Sequence, residues 1–281
     1  MNIQVQILKY IQTFKSPILN MIFLIITMST ETPVIFIVAS ALYWCVNKRY
    51  GQRLIFALTG NIALNTGVKE FFKAPRPIGV KGIESMRTST ATGYSFPSGH
   101  TQIGTTFWIS IMSIVKNRYV YITGTIIFLG IGISRLYLGV HWPIDVLFGW
   151  IFGIVFTIIC NYILHKVEQN EKYRYFNFVL IPMVLWIFVV NSIEYVKMVG
   201  LISGFIIGYI IEKEYIKFNV DVCMKSKIYR YLFGVISLGA VYIILKLIMP
   251  ANYIGGYLRY SLLMIYAMAG APLLFEKFWK E

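Results

Sequence analysis

The sequence predicts an all-α, polytopic membrane helix bundle, with a six-span core and about four further spans toward the C-terminus. Three observations carry that expectation. Of 281 residues, 57% are hydrophobic and 14% charged, and mean hydropathy is +0.67, whereas soluble domains carry about 25% charge. Apolar stretches recur from end to end, and about 20 apolar residues suffice to cross a bilayer. The polar residues that interrupt them include three short blocks rich in His, Arg and Lys.

Taken in order, residues 2–14 place Ile3, Ile7, Tyr10, Ile11 and Phe14 at helical spacing, with Gln4, Lys9, Gln12 and Thr13 largely elsewhere. That pattern fits an interfacial amphipathic helix or an extension of the first span. The polar start lacks a basic n-region and an apolar core ahead of a cleavage site, so a removable signal peptide is not expected. Stretches 17–30, 32–46, 54–72, 100–116, 119–135 and 144–165 form the expected core. The additional spans are 175–192, 198–211, 231–249 and 257–275. The first, second and eighth stretches are short, which leaves ten spans or eight. The expected division is 1–15 interfacial, 16–166 core and 167–281 additional spans.

Charge supplies an orientation. Alternating spans put the three polar blocks on one face, and 17 cations, Lys9, Lys15 and Lys48 among them, on the other. Six cations (Lys73, Lys81, Arg87, Lys197, Lys246, Arg259) remain on the block face. Basic loops stay cytoplasmic, so both termini are expected inside and the blocks outside, in a bacterial plasma membrane. The net charge of +14 then reflects topology and attraction to anionic membrane lipids, with no nucleic-acid partner. Cys45, Cys160 and Cys223 are odd in number and scattered, which suggests neither a disulfide framework nor a thiolate metal site.

The blocks carry the chemistry. In Lys69–Pro77, Pro75 and Pro77 stop a helix around Arg76. Arg76 offers a planar fork to two phosphate oxygens, and Lys69 a point charge. In Pro97–His100, Ser98 suits an N-cap and Gly99 permits close approach to the backbone, so the helix N-terminus becomes an anion site. In Ser134–Asp145, Arg135 adds a third cation, while His141 and Asp145 lie four residues apart at a helix start. There the carboxylate can accept from one imidazole nitrogen and aim the other outward as a nucleophile. A structural His–Asp pair is the alternative.

Gly200, Gly204 and Gly208 repeat every four residues. Such small residues let membrane helices pack closely, within the chain or in a homodimer.

The pattern Lys-x6-Arg-Pro, Pro-Ser-Gly-His and Ser-Arg-x5-His-x3-Asp resembles the type 2 phosphatidic acid phosphatase superfamily. It matches at Lys69, Arg76, Pro77, Pro97 to His100, Ser134, Arg135, His141 and Asp145, and the likeness covers roughly residues 15–165. The resemblance implies attack on phosphorus by His141, with Asp145 orienting it and His100 protonating the leaving alkoxide. Lys69, Arg76, Arg135, Ser98 and the Gly99 amide would hold the phosphoryl oxygens. No metal or other cofactor is implied, since Asp145 is the only acid among the matching positions.

The implied substrate is a lipid phosphate or an isoprenyl pyrophosphate, with residues 78–96 as a lid or a passive connector. Transfer of the phosphoryl group to a lipid acceptor uses the same residues. Sugar-phosphate hydrolysis, haloperoxidase-like use of the pocket and non-catalytic lipid binding are further alternatives.

Overall fold

The computed structural model describes residues 3–279, and among these the regular structure is helical, with no strand. The helices are α1 (Ile3–Gln12), α2 (Pro17–Met28), α3 (Thr32–Ala41), α4 (Lys48–Phe72), α5 (Gly99–Val115) and α6 (Arg118–Tyr137). They continue with α7 (Pro143–Asn170), α8 (Asn177–Val190), α9 (Ile193–Ile211), α10 (Met224–Ile248), α11 (Tyr253–Ile265) and α12 (Ala271–Phe278). Single π turns extend α3 through Val46 and α9 through Ile216, and a third joins α11 to α12.

Boundaries follow local chemistry. Ser16 caps α2 by accepting from the Leu19 amide, with Pro17 supplying the first helical φ. Asn117, Ser192 and Asn252 cap α6, α9 and α11 in the same way. Lys116 and Asn191 close α5 and α8 in the left-handed region.

Six helical stretches are long and apolar enough to cross a bilayer: Arg118–Tyr137, Pro143–Asn170, Tyr173–Val190, Ile193–Ile216, Met224–Ile248 and Tyr253–Phe278. The last four are the additional C-terminal spans. A bent pair, α1 and α2 at 117°, passes the same test when joined. The helices that pass on length and apolarity are fewer than the ten expected stretches, for a physical reason. Helix α5 carries buried Thr101, Gln102, Thr105, Thr106 and Ser110, and α4 carries Asn61, Asn65 and Lys69. Residues that serve a polar site dilute the hydropathy of the helices that hold them.

The chain divides into two compact units, one formed by residues up to Ile35 with Leu64–Ile159, the other by Phe36–Ala63 with Cys160 onward. Helices α3, α4 and α7 each pass from one unit into the other.

In the first unit, α1 packs on the loop that follows Arg76. Leu8 is buried with Ile83, Leu136 and Val146. Gln12 donates to Glu84 O at 2.8 Å and accepts from the Glu84 amide at 3.0 Å, and Lys15 pairs with the Glu84 carboxylate at 3.0 Å. These contacts overturn the expected position of Lys9 and Lys15 on the face away from the blocks. Lys9 lies against Gly82, and Lys15 against Glu84, both in the block-face loop. Helix α2 explains the difference. Its 12 residues rise about 18 Å, short of the roughly 30 Å hydrocarbon core. Its N-terminal end meets Tyr137, whose hydroxyl accepts from the Ser16 amide, and Glu31 just beyond its other end pairs with Arg87. A single short helix leaves Lys9 and Lys15 beside the block-face loop.

In the second unit, the glycine stripe of α9 packs on α11 backbone. A Cβ on Gly200 would stand 2.5 Å from Tyr257 O, and one on Gly204 2.3 Å from Ser261 O. The close approach that the stripe permits is used within the chain.

Candidate active site

The three blocks converge in the first unit. Helix α4 delivers Lys69 in its last turn, the following loop carries Arg76, and α5 begins at Gly99 and His100. Arg135 lies in the last turn of α6, His141 in the α6–α7 turn and Asp145 in the first turn of α7. Glycines allow the helices to meet. A Cβ on Gly149 would stand 3.1 Å from Ser98 O, and one on Gly153 3.0 Å from Gln102 O, so α7 lies close along α5.

A cavity of about 340 Å³ opens between these elements, lined by Lys69, Arg76, Gly99, His100 and His141. Thr30, Glu31, Pro33, Thr90, Thr92 and Ile103 complete it. Ser98, Arg135 and Asp145 lie behind the lining, each fully or almost fully buried.

The buried chain of polar contacts has a direction. Arg76 Nη1 approaches His141 Nε2 at 2.9 Å, and His141 Nδ1 stands 3.2 Å from Asp145 Oδ2. A guanidinium only donates. Nε2 therefore accepts, which leaves the imidazole proton on Nδ1, where Asp145 receives it. The Trp142 amide donates to the same carboxylate oxygen at 2.8 Å, and Ser95 Oγ donates to it as well. His141 lies outside the spans. Burial, then the Lys69, Arg76 and Arg135 cations, push its imidazole well below the ordinary 6.5.

Each cation has a different setting. Arg76 donates through Nε to Gly93 O at 3.0 Å, through Nη1 to Val140 O at 3.0 Å, and through Nη2 to Thr92 O at 2.8 Å and Tyr94 O at 3.2 Å. It thereby holds the 92–94 segment over the cavity. Lys69 donates to the Tyr94 and Ser95 carbonyls. Among the described residues the Arg135 guanidinium has one partner, Thr27 Oγ1 at 2.7 Å, while its Nε and Nη2 are buried without any. His100 lines the cavity, and its imidazole makes no hydrogen bond among the described residues.

Ser98 occupies the N-cap position of α5, yet its side chain caps no amide. Its hydroxyl accepts from Thr101 Oγ1 at 2.8 Å, and its own N–H donates to Asp145 O at 2.9 Å. The side chain is fully buried, with its hydroxyl engaged by Thr101 one turn along the same helix. Gly99 lines the cavity, and a Cβ there would lie 3.4 Å from Asn65 Oδ1.

Four residues outside the motif pattern belong to this site. Ser95 and Thr27 hold Asp145 and Arg135, and Glu31 pairs with Arg87 through Nε at 3.0 Å and through Nη2. Glu31 had a signal in the sequence: it is the only acid before Glu70, set inside an apolar run. Ser95 and Thr27 had none, since their roles exist only once α2 and the loop lie against α6 and α7.

The fold and site define an integral membrane protein with a cationic cavity over a buried His–Asp pair. Residues 50–169 match the PAP2 superfamily model, and residues 196–280 match PAP2 superfamily phosphatase, transmembrane extension. The chain belongs to the PAP2 superfamily. It is 28% identical over 130 residues to undecaprenyl-diphosphatase of Sulfolobus acidocaldarius, covering 44% of this chain and 63% of that one. It is 26% identical over 149 residues to phosphatidylglycerophosphatase B of Bacillus subtilis, covering 50% and 70%. The crystal structure of Aquifex aeolicus LpxE is similar with a TM-score of 0.50 at 26% identity, over 57% of this chain and 95% of that one.

Proposed function

We propose that this protein is a membrane lipid phosphate phosphatase that works through a phosphohistidine. The observation that carries the reading is the Arg76–His141–Asp145 chain, which leaves an unprotonated imidazole nitrogen at the cavity. His141 Nε2 attacks phosphorus as the ester P–O bond breaks, and His100 gives its proton to the departing alkoxide. Asp145 stabilises the positive charge that develops on the imidazole. Water, deprotonated by His100, then cleaves the P–N bond and releases inorganic phosphate. Lys69, Arg76, Arg135 and the Gly99 amide stabilise the equatorial oxygens, which is most of what phosphoryl transfer requires. The chemistry so written needs no metal. Residues 16–166 house it, and 167–281 form the additional spans.

The relatives' names support a lipid substrate, and the apolar helices around the site suit one. The site faces outward in this reading. With Lys9 and Lys15 moved to the block face, 15 cations still fall on the opposite face against eight, and the C-terminus stays cytoplasmic.

Phosphate release by detergent-purified protein, with EDTA present, tests the proposal. Wild type should hydrolyse a lipid phosphate and His141→Ala should not. Equal release by both would sink it, as would silence on every lipid phosphate offered. Thiol labelling of Lys81→Cys and Glu171→Cys in intact cells checks the orientation, which fails if the second reacts and the first does not.

A further inference from the structure

Glu31 places a carboxylate in the lining of a cavity built for an anion. Apolar neighbours do not require it there, and a carboxylate beside a phosphate site is unfavourable unless it does something for the ligand. Its position is fixed. Arg87 grips Oε1 with both Nε and Nη2, from a loop residue held at φ 54°. Oε2 receives no hydrogen bond among the described residues, which leaves an acceptor unused. Both side chains are about a quarter exposed, so the pair is reachable from the cavity.

The lining carries two chemically distinct sets of groups. Lys69, Arg76, Gly99, His100 and His141 are the set that holds a phosphoryl group in the proposed function. Thr30, Glu31, Thr90 and Thr92 are the other set, with Pro33 and Ile103 as apolar lining. A group esterified to a phosphate in this cavity has these residues as its remaining neighbours. The free carboxylate oxygen suits a group with hydrogen-bond donors and opposes a second phosphate, while the threonine hydroxyls can accept from or donate to either.

Resting on the phosphatase reading, we propose that Glu31 is a specificity-determining residue. It selects a phosphomonoester whose alcohol carries a hydroxyl or ammonium donor near the ester oxygen, and it disfavours a diphosphate. Arg87 is its positioning residue: it pins the carboxylate and offsets part of its charge. The two variants then act in opposite directions. Glu31→Gln removes the repulsion and keeps the shape, while Arg87→Gln leaves the carboxylate uncompensated.

The test compares kcat/KM for an isoprenyl diphosphate with that for phosphatidylglycerol phosphate, in wild type, Glu31→Gln and Arg87→Gln. The diphosphate-to-monoester ratio should rise about tenfold in Glu31→Gln and fall about as much in Arg87→Gln, the scale expected for one partly screened charge near the substrate. Glu31→Asp should restore the wild-type preference. Sphingosine 1-phosphate, run alongside, separates an ammonium donor from a glycerol hydroxyl. Equal losses on both substrates in both variants would make the pair a structural latch and overturn the proposal. A wild type that prefers the diphosphate, with the ratio unmoved in Glu31→Gln, would overturn it too. Wild-type silence on every substrate would instead remove the phosphatase reading beneath it.

Discussion

Arg76 donates to His141 Nε2 at 2.9 Å, so the cavity-facing nitrogen of the buried imidazole is covered by a cation. The same guanidinium holds Thr92, Gly93 and Tyr94 by their carbonyls. Under the proposed function, a bound phosphoryl group would draw the Nη1 donor away from His141 and expose the attacking nitrogen where its target has arrived.

Arg76→Lys tests this dual role. A lysine has no fork to span three carbonyls and an anion. Activity should fall about 100-fold, and the 78–96 loop should become more open to limited proteolysis. Near-wild-type turnover with an unchanged cleavage pattern would show that a point charge suffices.

His141 gives a pH signature. Its folded pKa lies well below 6.5 because burial and then Lys69, Arg76 and Arg135 disfavour the imidazolium. The unfolded chain therefore binds a proton that the folded chain does not, and this group's stabilisation is present above about pH 6.5 and lost as pH falls below it. Nitrogen-15 NMR of labelled histidine should show a neutral Nδ1–H tautomer at pH 6. Titration near 6.5 would contradict the burial argument. Added orthovanadate should raise the pKa by offsetting the cations.

Ser95→Ala removes a donor from Asp145 and leaves the Trp142 amide as the remaining backbone donor to Oδ2. Hydrogen bonds to charged groups are worth about 1.5–3 kcal/mol, so kcat should fall about tenfold or more while KM changes little. A rise in KM alone would move Ser95 from orienting the pair to binding substrate.

Arg135 is buried with Nε and Nη2 unpartnered, a costly arrangement unless an anion completes it. Inorganic phosphate or orthovanadate should raise the Tm of wild type, by about 2.7 kcal/mol of stabilisation at 100 times Kd. The shift should vanish in Arg135→Met. An equal shift in the variant would place the anion elsewhere.

Gly204→Ala should destabilise the second unit, because its Cβ meets Ser261 O at 2.3 Å. Overpacking of this kind costs about 1–3 kcal/mol. A lower Tm with unchanged detergent-solubilised mass would confirm the contact as internal, whereas loss of an oligomer would assign it to a second copy.

Much of the site is legible in the amino-acid sequence. Lys69, Arg76, Gly99, His100 and His141 stand together around one cavity, and Arg135 and Asp145 lie directly behind it. Their spacing can be read because each block marks a helix end, where Pro, Gly and the four-residue His–Asp interval have local consequences. The all-helical membrane class can be read as well, since a hydrocarbon solvent constrains composition along the whole chain.

Tertiary structure alone decided the rest. Whether α1 and Lys15 join the site face depended on how far 12 residues of α2 reach and on Glu84 being there to receive them. That Ser98 turns inward, that Thr27 carries Arg135 and that Ser95 carries Asp145 depend on helices packed at backbone distance. Sequence by itself determines what each short segment prefers, because capping, helix breaking and hydropathy act over a turn or two. Which distant groups satisfy a buried charge is settled only when packing removes water from both.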